Sequence, residues 1–356
     1  MTPGGRFSPA EVALVSTIYS PPRARRRWVV NDVLPDGVQR LYSLARWGLV
    51  DALRAYGVGP GDRVLVPGLI CREVLASINV VGAVPVFYPV TSHLSPALDD
   101  SGMVPAKAVL AVNYFGFPQD LEVFRAYCRR TGAALIEDNA HGLFSRDHDG
   151  RLLGSRGDAG LFSFRKTIPV PDGSALVLSG GREPPGDTSH LAPAPGPRYR
   201  LKQAFRRLAA VAGPATTSRI IGGVRQLRRA TTGHAIAPGP VDAEMLIPGL
   251  SDPTMTIRRP IAAADPDEEV RRRRALYQIA AEIAERSGAA LVFPVLPANV
   301  VPYGLPVYVP PDRAVAIREE VNRRGLQLAV WPDLPAKVAP DAPDHYRQLM
   351  VLPFLW

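Results

Sequence analysis

The sequence predicts an α/β fold with a mostly parallel sheet in a large domain, followed by a smaller α+β domain near the C-terminal end. Short apolar, β-branched runs alternate with helix-like stretches over the first half of the chain, and this alternation is typical of parallel strands joined by helical crossovers. A second group of strand-like and helix-like stretches occupies the C-terminal part. With 356 residues, 46% of them hydrophobic, the chain can bury the core of one large or two medium domains.

In the large domain, each element is predicted from its local pattern. The first is a helix from Val38 to Tyr56, in which apolar residues recur at helical intervals and which Gly57 can end. The stretches after it are a strand at Val64–Pro67, a helix at Cys71–Val81, strands at Val84–Tyr88 and Ala108–Val112, a helix at Leu121–Arg130 and a strand at Ala133–Glu137. Ligands of such sheets gather at the carboxyl ends of the strands, where we expect Asn113, Tyr114 and Asp138.

The C-terminal domain is predicted from one long helix and from a shorter helix between two strands. The long helix runs from Asp265 to Arg286, because acids at its start and arginines after them complement the helix dipole. Strands at Gly304–Val309 and Leu326–Trp331 flank a helix at Arg313–Arg324. The predicted divisions are an N-terminal arm at 1–27, a large domain at 28–248 with a divergent, insertion-rich part at 180–248, and a small domain at 249–356.

The formal net charge of +9 is concentrated in two segments, 23–27 and 198–229. Leu201, Phe205 and Leu208 recur at helical spacing in the second segment. This pattern fits a basic amphipathic helix that associates weakly with a membrane surface or another polyanion, and it equally fits a solvated helix that packs its apolar face on its own protein. No zinc-ligand spacing, aromatic-rich RNA-binding signature or helix-turn-helix pattern is present, so we expect no nucleic-acid partner.

The two cysteines, Cys71 and Cys128, form neither a metal-ligand spacing nor a disulfide framework. We therefore expect no metal and a reducing compartment. The first residues lack the pattern of a signal peptide, and the sequence contains no apolar span of transmembrane length. These features predict a cytoplasmic protein.

Lys166 is the main candidate for a catalytic residue. Only four of the 42 basic residues are lysines, and a lysine can lose its proton and form a Schiff base with an aldehyde, whereas an arginine practically cannot. The alternative is that Lys166 is one solvated cation among many. Ser163 precedes it by three residues, and Asp138 ends an earlier predicted strand. An amine, a hydroxyl and a carboxylate are what a pyridoxal 5'-phosphate site requires for the aldehyde, the phosphate and the ring nitrogen.

These residues resemble the DegT/StrS-type aminotransferases. The family pattern is similar to Glu137-Asp138-Asn139-Ala140-His141, Gly150, Gly154, Gly157-Asp158, Phe162-Ser163-Phe164, Lys166 and Gly173-Ser174. Upstream, the run from Gly57 to Asp62 and the Arg63-Val64-Leu65-Val66-Pro67 that follows it look like the family's "GIGPGDEVIVP". The resemblance covers residues 40 to 180 well and the later chain only loosely, and the motifs are specific as a set.

The resemblance implies the pyridoxal-phosphate-dependent transferase fold type I and a homodimer. It further implies transfer of an amino group from an amino acid, glutamate or glutamine, to a keto group of a nucleotide-linked sugar or a related intermediate of polysaccharide or antibiotic biosynthesis. Relatives that dehydrate sugars have His in place of the lysine, so Lys166 favours transamination.

By the same resemblance, Lys166 binds the cofactor, Asp138 its ring nitrogen and Ser163 its phosphate. The remaining expected contacts are Ala45, Arg46 and Trp47 at a helix start for the phosphate, His141 in place of the family's usual Gln for the ring, and Asn113 and Tyr114 for the substrate. Cys71 stands where the family often has a ring-stacking aromatic, so Trp47 or His141 is expected to cover that face.

Several alternatives stay open at this level. Asp138 is also compatible with a helix N-cap or a structural salt bridge, Arg46 with a surface ion pair, and His141 with a structural role. For the whole protein, the alternatives are a degenerate family member that binds a ligand in a regulatory role and a peripheral membrane or polyanion-binding protein that uses 198–229.

Overall fold

The structure is a computed structural model, and it describes residues 33–97, 104–168, 170, 172–185, 241–253, 264–323 and 326–354. Its larger sheet has seven strands: β1 (Val38–Tyr42), β2 (Arg63–Pro67), β3 (Val84–Tyr88), β4 (Ala108–Val112), β5 (Ala134–Asn139), β6 (Ala159–Ser163) and β7 (Ser174–Leu178). They are arranged in the order β1-β7-β6-β5-β4-β2-β3. The five strands from β2 to β6 are mutually parallel, whereas β7 is antiparallel to both of its neighbours. The mostly parallel sheet predicted from the sequence is confirmed.

Three helices accompany this sheet: α1 (Ala45–Ala55), α2 (Leu75–Val80) and α3 (Glu122–Thr131). Helix α1 lies against β6 and β7 and buries Leu49, Val50 and Leu53. Gly48 permits this close approach, because a Cβ atom there would lie 3.3 Å from the Leu161 side chain of β6. The start of α1 is thereby held next to the carboxyl end of β6.

The C-terminal part forms a second, antiparallel sheet in the order β10-β11-β9-β8. Its strands are β8 (Ala290–Leu291), β9 (Gly304–Tyr308), β10 (Ala329–Val330) and β11 (Leu349–Pro353), and its helices are α4 (Pro266–Arg286), α5 (Ala314–Arg323) and α6 (Asp344–Gln348). Asp265 caps α4 by accepting a hydrogen bond from the Glu268 N–H at 3.2 Å. Buried residues of both sheets belong to one continuous hydrophobic cluster.

Three predicted elements differ from the structure. The predicted helix from Val38 to Tyr56 is wrong in its first part, because residues 38–42 form β1, which pairs with β7 from Val38↔Leu178 to Tyr42↔Ser174. In the predicted helix at Cys71–Val81, a 3₁₀ turn at Arg72–Val74 precedes α2. Of the strand predicted at Leu326–Trp331, only β10 forms a ladder.

The predicted N-terminal arm (1–27) and basic segment (198–229) lie outside the described residues. The division into a large and a small domain stays a prediction. Among the described helices, none is both long and apolar enough to span a bilayer. No cluster of three or more His, Cys, Asp or Glu side chains that suits a metal ion occurs in the described part of the chain.

Candidate active site

A cleft of about 430 Å³ opens at the carboxyl ends of β4, β5 and β6. Because these strands are parallel, their last residues meet at one edge of the sheet. The residues that line the cleft include Val112, Asp138 and Ser163 at the strand ends, Ala45 and Arg46 at the start of α1, Cys71, Glu73, Arg165 and Lys166, and Tyr303 and Trp331 from the C-terminal part. Both halves of the chain therefore contribute to its walls.

Lys166 ends the 3₁₀ turn Phe164–Lys166, which directly follows β6. Its Nζ lies 5.7 Å from the centre of the Tyr303 ring. The pKa of the Lys166 amine is lowered, because the effect of burial outweighs the opposite effect of the neighbouring Cys71 and Asp138. A lowered pKa increases the fraction of neutral amine, which is the nucleophilic form.

Asp138 lies in β5, next to its last residue, Asn139. One of its oxygens, Oδ1, accepts a hydrogen bond from the Ala140 N–H at 3.0 Å, and no described cation lies within ion-pairing distance of the carboxylate. Burial raises the pKa of Asp138, and the charge of Lys166 opposes that rise. A half-buried carboxylate with so few partners is stabilised by a cationic N–H donor placed in the cleft.

His141 lies in an aromatic stack at the back of the cleft. Its ring is nearly parallel to those of Tyr303, at 4.3 Å and 12°, and Phe115, at 5.6 Å and 19°. Burial lowers the pKa of His141 well below its ordinary value, and the charges of Lys166 and Arg273 act in the same direction. The Phe115 N–H donates to Nδ1 at 3.3 Å. The imidazole is therefore neutral, with its proton on Nε2.

The start of α1 is suited to an anion. Its N-cap residue, Leu44, offers no side-chain cap, and the first turn contains no acid. Free N–H groups at a helix start and the helix dipole attract phosphate. Ser163 Oγ and the Arg46 side chain face the same cleft, and neither forms a hydrogen bond or ion pair within the described part of the chain. The pKa of Arg46 is lowered, mainly by burial. The charge of Arg165 adds to this effect, and the charge of Glu73 opposes it.

The structure does not bring three of the predicted site residues to the cleft. Asn113 is fully buried and donates to Glu137 Oε1 at 2.8 Å. Tyr114 donates through its hydroxyl to the Leu69 carbonyl oxygen at 2.8 Å. Trp47 packs against the hydrophobic core instead of lining the cleft. The first two side chains are thus committed to the scaffold, and the predicted substrate contacts of Asn113 and Tyr114 find no support in this geometry.

Four charged or aromatic residues of the cleft were not predicted as site residues: Glu73, Arg165, Tyr303 and Trp331. Arg165 is next to Lys166, so its position in sequence was the available signal. Tyr303 and Trp331 are isolated aromatics far along the chain, and only the packing of the second sheet brings them to the cleft. Cys71 also lines it, and burial raises the pKa of the thiol to about 11.

A buried ion pair supports the strand end on which Asp138 lies. The Arg156 side chain donates to Glu137 Oε1 through Nε at 2.9 Å and through a terminal nitrogen at 2.6 Å. The Arg156 N–H donates to Glu137 Oε2 at 3.0 Å. Because Glu137 precedes Asp138 and is fully buried, this pair restricts the direction in which the Asp138 side chain leaves the sheet.

Taken together, the cleft residues fit pyridoxal 5'-phosphate. The cleft has an amine of lowered pKa at Lys166, a carboxylate at Asp138 with no ion-pair partner among the described residues, and an uncapped helix start beside the Ser163 hydroxyl. These are the groups needed to bind the aldehyde, the ring nitrogen and the phosphate.

Comparison with known proteins agrees with this geometry. Residues 45–182 match the DegT/DnrJ/EryC1/StrS aminotransferase family. An L-glutamine:2-deoxy-scyllo-inosose aminotransferase of Streptoalloteichus tenebrarius is 37% identical over 166 residues, which make up 44% of this chain and 38% of that protein. The match thus spans well under half the length of that relative.

Solved structures show the same fold. The aminotransferase TlmJ from Streptoalloteichus hindustanus has a TM-score of 0.56 at 23% identity, over 98% of this chain and 86% of that one. NtdA from Bacillus subtilis, solved with the bound cofactor PMP, has a TM-score of 0.54 at 17% identity, over 88% of this chain and 68% of that one. The chain therefore has the fold of these solved aminotransferases, and its sequence match to the DegT/DnrJ/EryC1/StrS family covers residues 45–182.

Proposed function

We propose that this protein is a pyridoxal-phosphate-dependent aminotransferase that moves an amino group from glutamate or glutamine to a keto group of a nucleotide-linked sugar or a related biosynthetic intermediate. The observation that carries the proposal is the convergence of Lys166, Asp138 and an anion-binding helix start in one cleft. The family match over residues 45–182 supports the same reaction class.

Three of these residues would hold the cofactor. Lys166 Nζ would bind its aldehyde carbon, the Asp138 carboxylate would accept a hydrogen bond from its ring nitrogen, and Ser163 with the first N–H groups of α1 would bind its phosphate. The Arg46 guanidinium, at the start of the same helix, would place a positive charge next to the phosphate. When bound, the cofactor supplies a ring that takes up the electron pair of a deprotonated substrate carbon.

The chain's own residues then handle the protons. Once the donor amine has displaced it from the aldehyde carbon, Lys166 Nζ, kept partly neutral by burial, would take a proton from the donor's α-carbon and deliver it to the former aldehyde carbon. Asp138 would favour a positive charge on the ring nitrogen, because a carboxylate in a poorly hydrated site favours a proton on its partner. His141, Tyr303 and Trp331 line the same cleft; the His141 Nε2–H could donate a hydrogen bond to the cofactor, and the two aromatic side chains would limit the access of water.

The nature of the keto acceptor is proposed from the relatives and from the walls of the cleft. The relative from S. tenebrarius is named for a glutamine donor and a cyclic ketone acceptor. Flat aromatic walls at Tyr303 and Trp331 suit a ring-shaped acceptor. Arg165, exposed at the cleft, would attract an acceptor or donor that carries an anionic group.

The Lys166→Ala variant tests the proposed reaction. We expect amino transfer from glutamine and glutamate to fall by roughly 10⁴-fold, because the variant lacks both the attachment point and the proton carrier. Borohydride reduction followed by peptide mass spectrometry should find the cofactor attached to Lys166 in the wild type and nowhere in the variant. Lys337→Ala, which changes an exposed lysine, serves as the control and should keep full turnover.

Full turnover in Lys166→Ala would refute the assignment. Stoichiometric cofactor binding by the wild type, with no amino transfer from any amino acid, would instead select the ligand-binding alternative. Two observations favour that alternative: Leu44-Ala45-Arg46 stands where the family normally has a Ser/Asn-Gly-Thr run, and Cys71 stands where the family often has a ring-stacking aromatic.

We also propose that the protein is a homodimer, on the strength of the family resemblance alone, and that it is cytoplasmic, from its cysteine usage and the lack of a signal-peptide pattern. Association of the basic segment 198–229 with a membrane surface remains a separate proposal, because that segment lies outside the described residues. Sedimentation of the purified protein, alone and with anionic vesicles at varied salt, measures both properties.

A further inference from the structure

Arg273, in α4, is a buried arginine whose side chain bonds to the backbone of two residues that line the cleft. Only 1% of its surface is exposed. One terminal nitrogen donates to the Lys166 carbonyl oxygen at 2.9 Å and to that of Phe354 at 3.3 Å. The other donates to the carbonyl oxygens of Pro302 at 3.0 Å and Tyr303 at 3.3 Å.

This guanidinium joins three segments that are distant in sequence. Two of its four carbonyl partners belong to Lys166 and Tyr303, which both line the cleft. Its charge is balanced at Nε by Glu269, also buried. The Tyr303 carbonyl oxygen also accepts from the Phe354 N–H at 3.1 Å. Loss of a hydrogen-bond donor by a buried carbonyl group costs free energy, so Arg273 contributes to holding these segments in place.

We propose, on the basis of the role proposed above for Lys166, that Arg273 is a positioning residue that holds the Lys166 and Tyr303 backbones at the separation which keeps the Lys166 amine over the Tyr303 ring. The planar, five-donor guanidinium suits this role, because its N–H groups point in fixed directions that a lysine ammonium cannot reproduce. Arg273 itself does not line the cleft.

The groups that face the Lys166 amine are known from the structure. Cys71 and Glu73 come from the segment after β2, Asp138 from β5, and Arg165 from the same turn as Lys166. His141, just after β5, and Tyr303, just before β9, also face it. None of them belongs to α4. Replacement of Arg273 leaves these neighbouring side chains unchanged. A change in the pKa of Lys166 would then report a change in the position and hydration of its amine.

The test measures the Lys166 amine directly in the cofactor-free protein. A small acylating reagent is applied over a range of pH, and peptide mass spectrometry follows acylation at Lys166. Burial lowers the pKa of Lys166 in the wild type, so a displaced and hydrated amine should titrate at higher pH. We expect the midpoint of acylation to rise by about one pH unit in Arg273→Met and by less in Arg273→Lys.

Arg274→Met is the matched control. Arg274 follows Arg273 on the same helix and also donates to two backbone carbonyl oxygens, those of Pro297 and Val300, both at 2.7 Å. Neither of these residues lines the cleft. The control should lose stability yet keep the wild-type midpoint, since loss of a helix-to-loop contact alone does not move the amine.

If Arg273→Met does not fold, Arg273→Lys carries the test, because it keeps the buried charge. A wild-type midpoint in the folded Arg273 variants, or an equal rise in Arg274→Met, overturns the positioning role. A wild-type protein that binds no pyridoxal phosphate but still shows the Arg273-dependent midpoint overturns the proposed function instead. The two failures are therefore distinguishable.

Discussion

His141 is held in the wall of the cleft as a neutral imidazole, stacked on Tyr303 and buried from water. Its pKa lies well below the ordinary value in the folded protein, whereas in the unfolded chain it returns to about 6.5. Below that pH the unfolded chain binds one proton more than the folded protein does. The free energy of unfolding must then fall as the pH falls.

We expect the free energy of unfolding of the cofactor-free wild type to drop by about 1 kcal/mol more than that of His141→Gln between about pH 7.5 and pH 5.5. Glutamine does not titrate, and it is the residue that the family pattern has at this position. Urea unfolding of both proteins at the two pH values gives the difference. Equal pH dependence of the two proteins would show that His141 becomes protonated inside the fold.

Individual site residues were predictable where the chemistry is local. Lys166 could be selected because a chain rich in arginine uses a lysine there, and Asp138 because it follows an apolar run. Asn113 also follows an apolar run, yet its side chain turns into the scaffold and donates to Glu137. Whether a strand-end side chain points into the cleft or beneath it depends on packing against distant residues, which a local pattern does not contain.

At the scale of elements, the buried ion pair between Glu137 and Arg156 stabilises the end of β5 on which Asp138 lies. The Glu137 side chain is 0% exposed and that of Arg156 is 5% exposed. Removal of one partner leaves the other charge buried and unpaired, which typically costs about 3–5 kcal/mol. We therefore expect Arg156→Met to lower the free energy of unfolding by about that amount, as measured by urea denaturation.

Arg125→Met is the comparison for this pair. Arg125 also forms a close ion pair, with Glu122 at 2.7 Å, but the side chains there are 33% and 66% exposed. Water screens such a pair, so its loss should change the free energy of unfolding by less than about 1 kcal/mol. Similar losses in the two variants would mean that Glu137 finds another partner or takes up a proton.

Elements were predicted well where the hydrophobic period is local, and poorly where pairing across the sheet decides. Strand β3 forms at Val84–Tyr88, the apolar run from which it was predicted. Residues 38–42 have apolar residues at helical spacing, but their pairing with β7 converts them to strand β1. Strand β11 was not predicted, although it is an inner strand of the second sheet, between β9 and β10.

At the scale of the whole molecule, the two sheets share one hydrophobic core. The same cluster contains Leu65 of β2, Leu110 of β4 and Leu305 of β9. The cleft is likewise built from both parts, since Tyr303 and Trp331 face Lys166 and Asp138 across it. A core shared in this way couples the stability of the second sheet to the geometry of the cleft.

Leu305→Ala should therefore weaken the whole described fold rather than the second sheet alone. Leu305 is 0% exposed, and its truncation should lower the free energy of unfolding by about 2–5 kcal/mol. Two probes follow urea unfolding: loss of protection of Lys166 from acylation for the first sheet, and trypsin cleavage after the arginines of α4 for the second part. We expect one coincident transition, shifted equally for both probes.

Val330→Ala, at a 61% exposed position of β10, is the control, and by either probe it should change the free energy of unfolding by no more than about 0.5 kcal/mol. If only the α4 probe moves in Leu305→Ala, the second sheet unfolds independently of the cleft, and the segments at 28–248 and 249–356 behave as separate cooperative units.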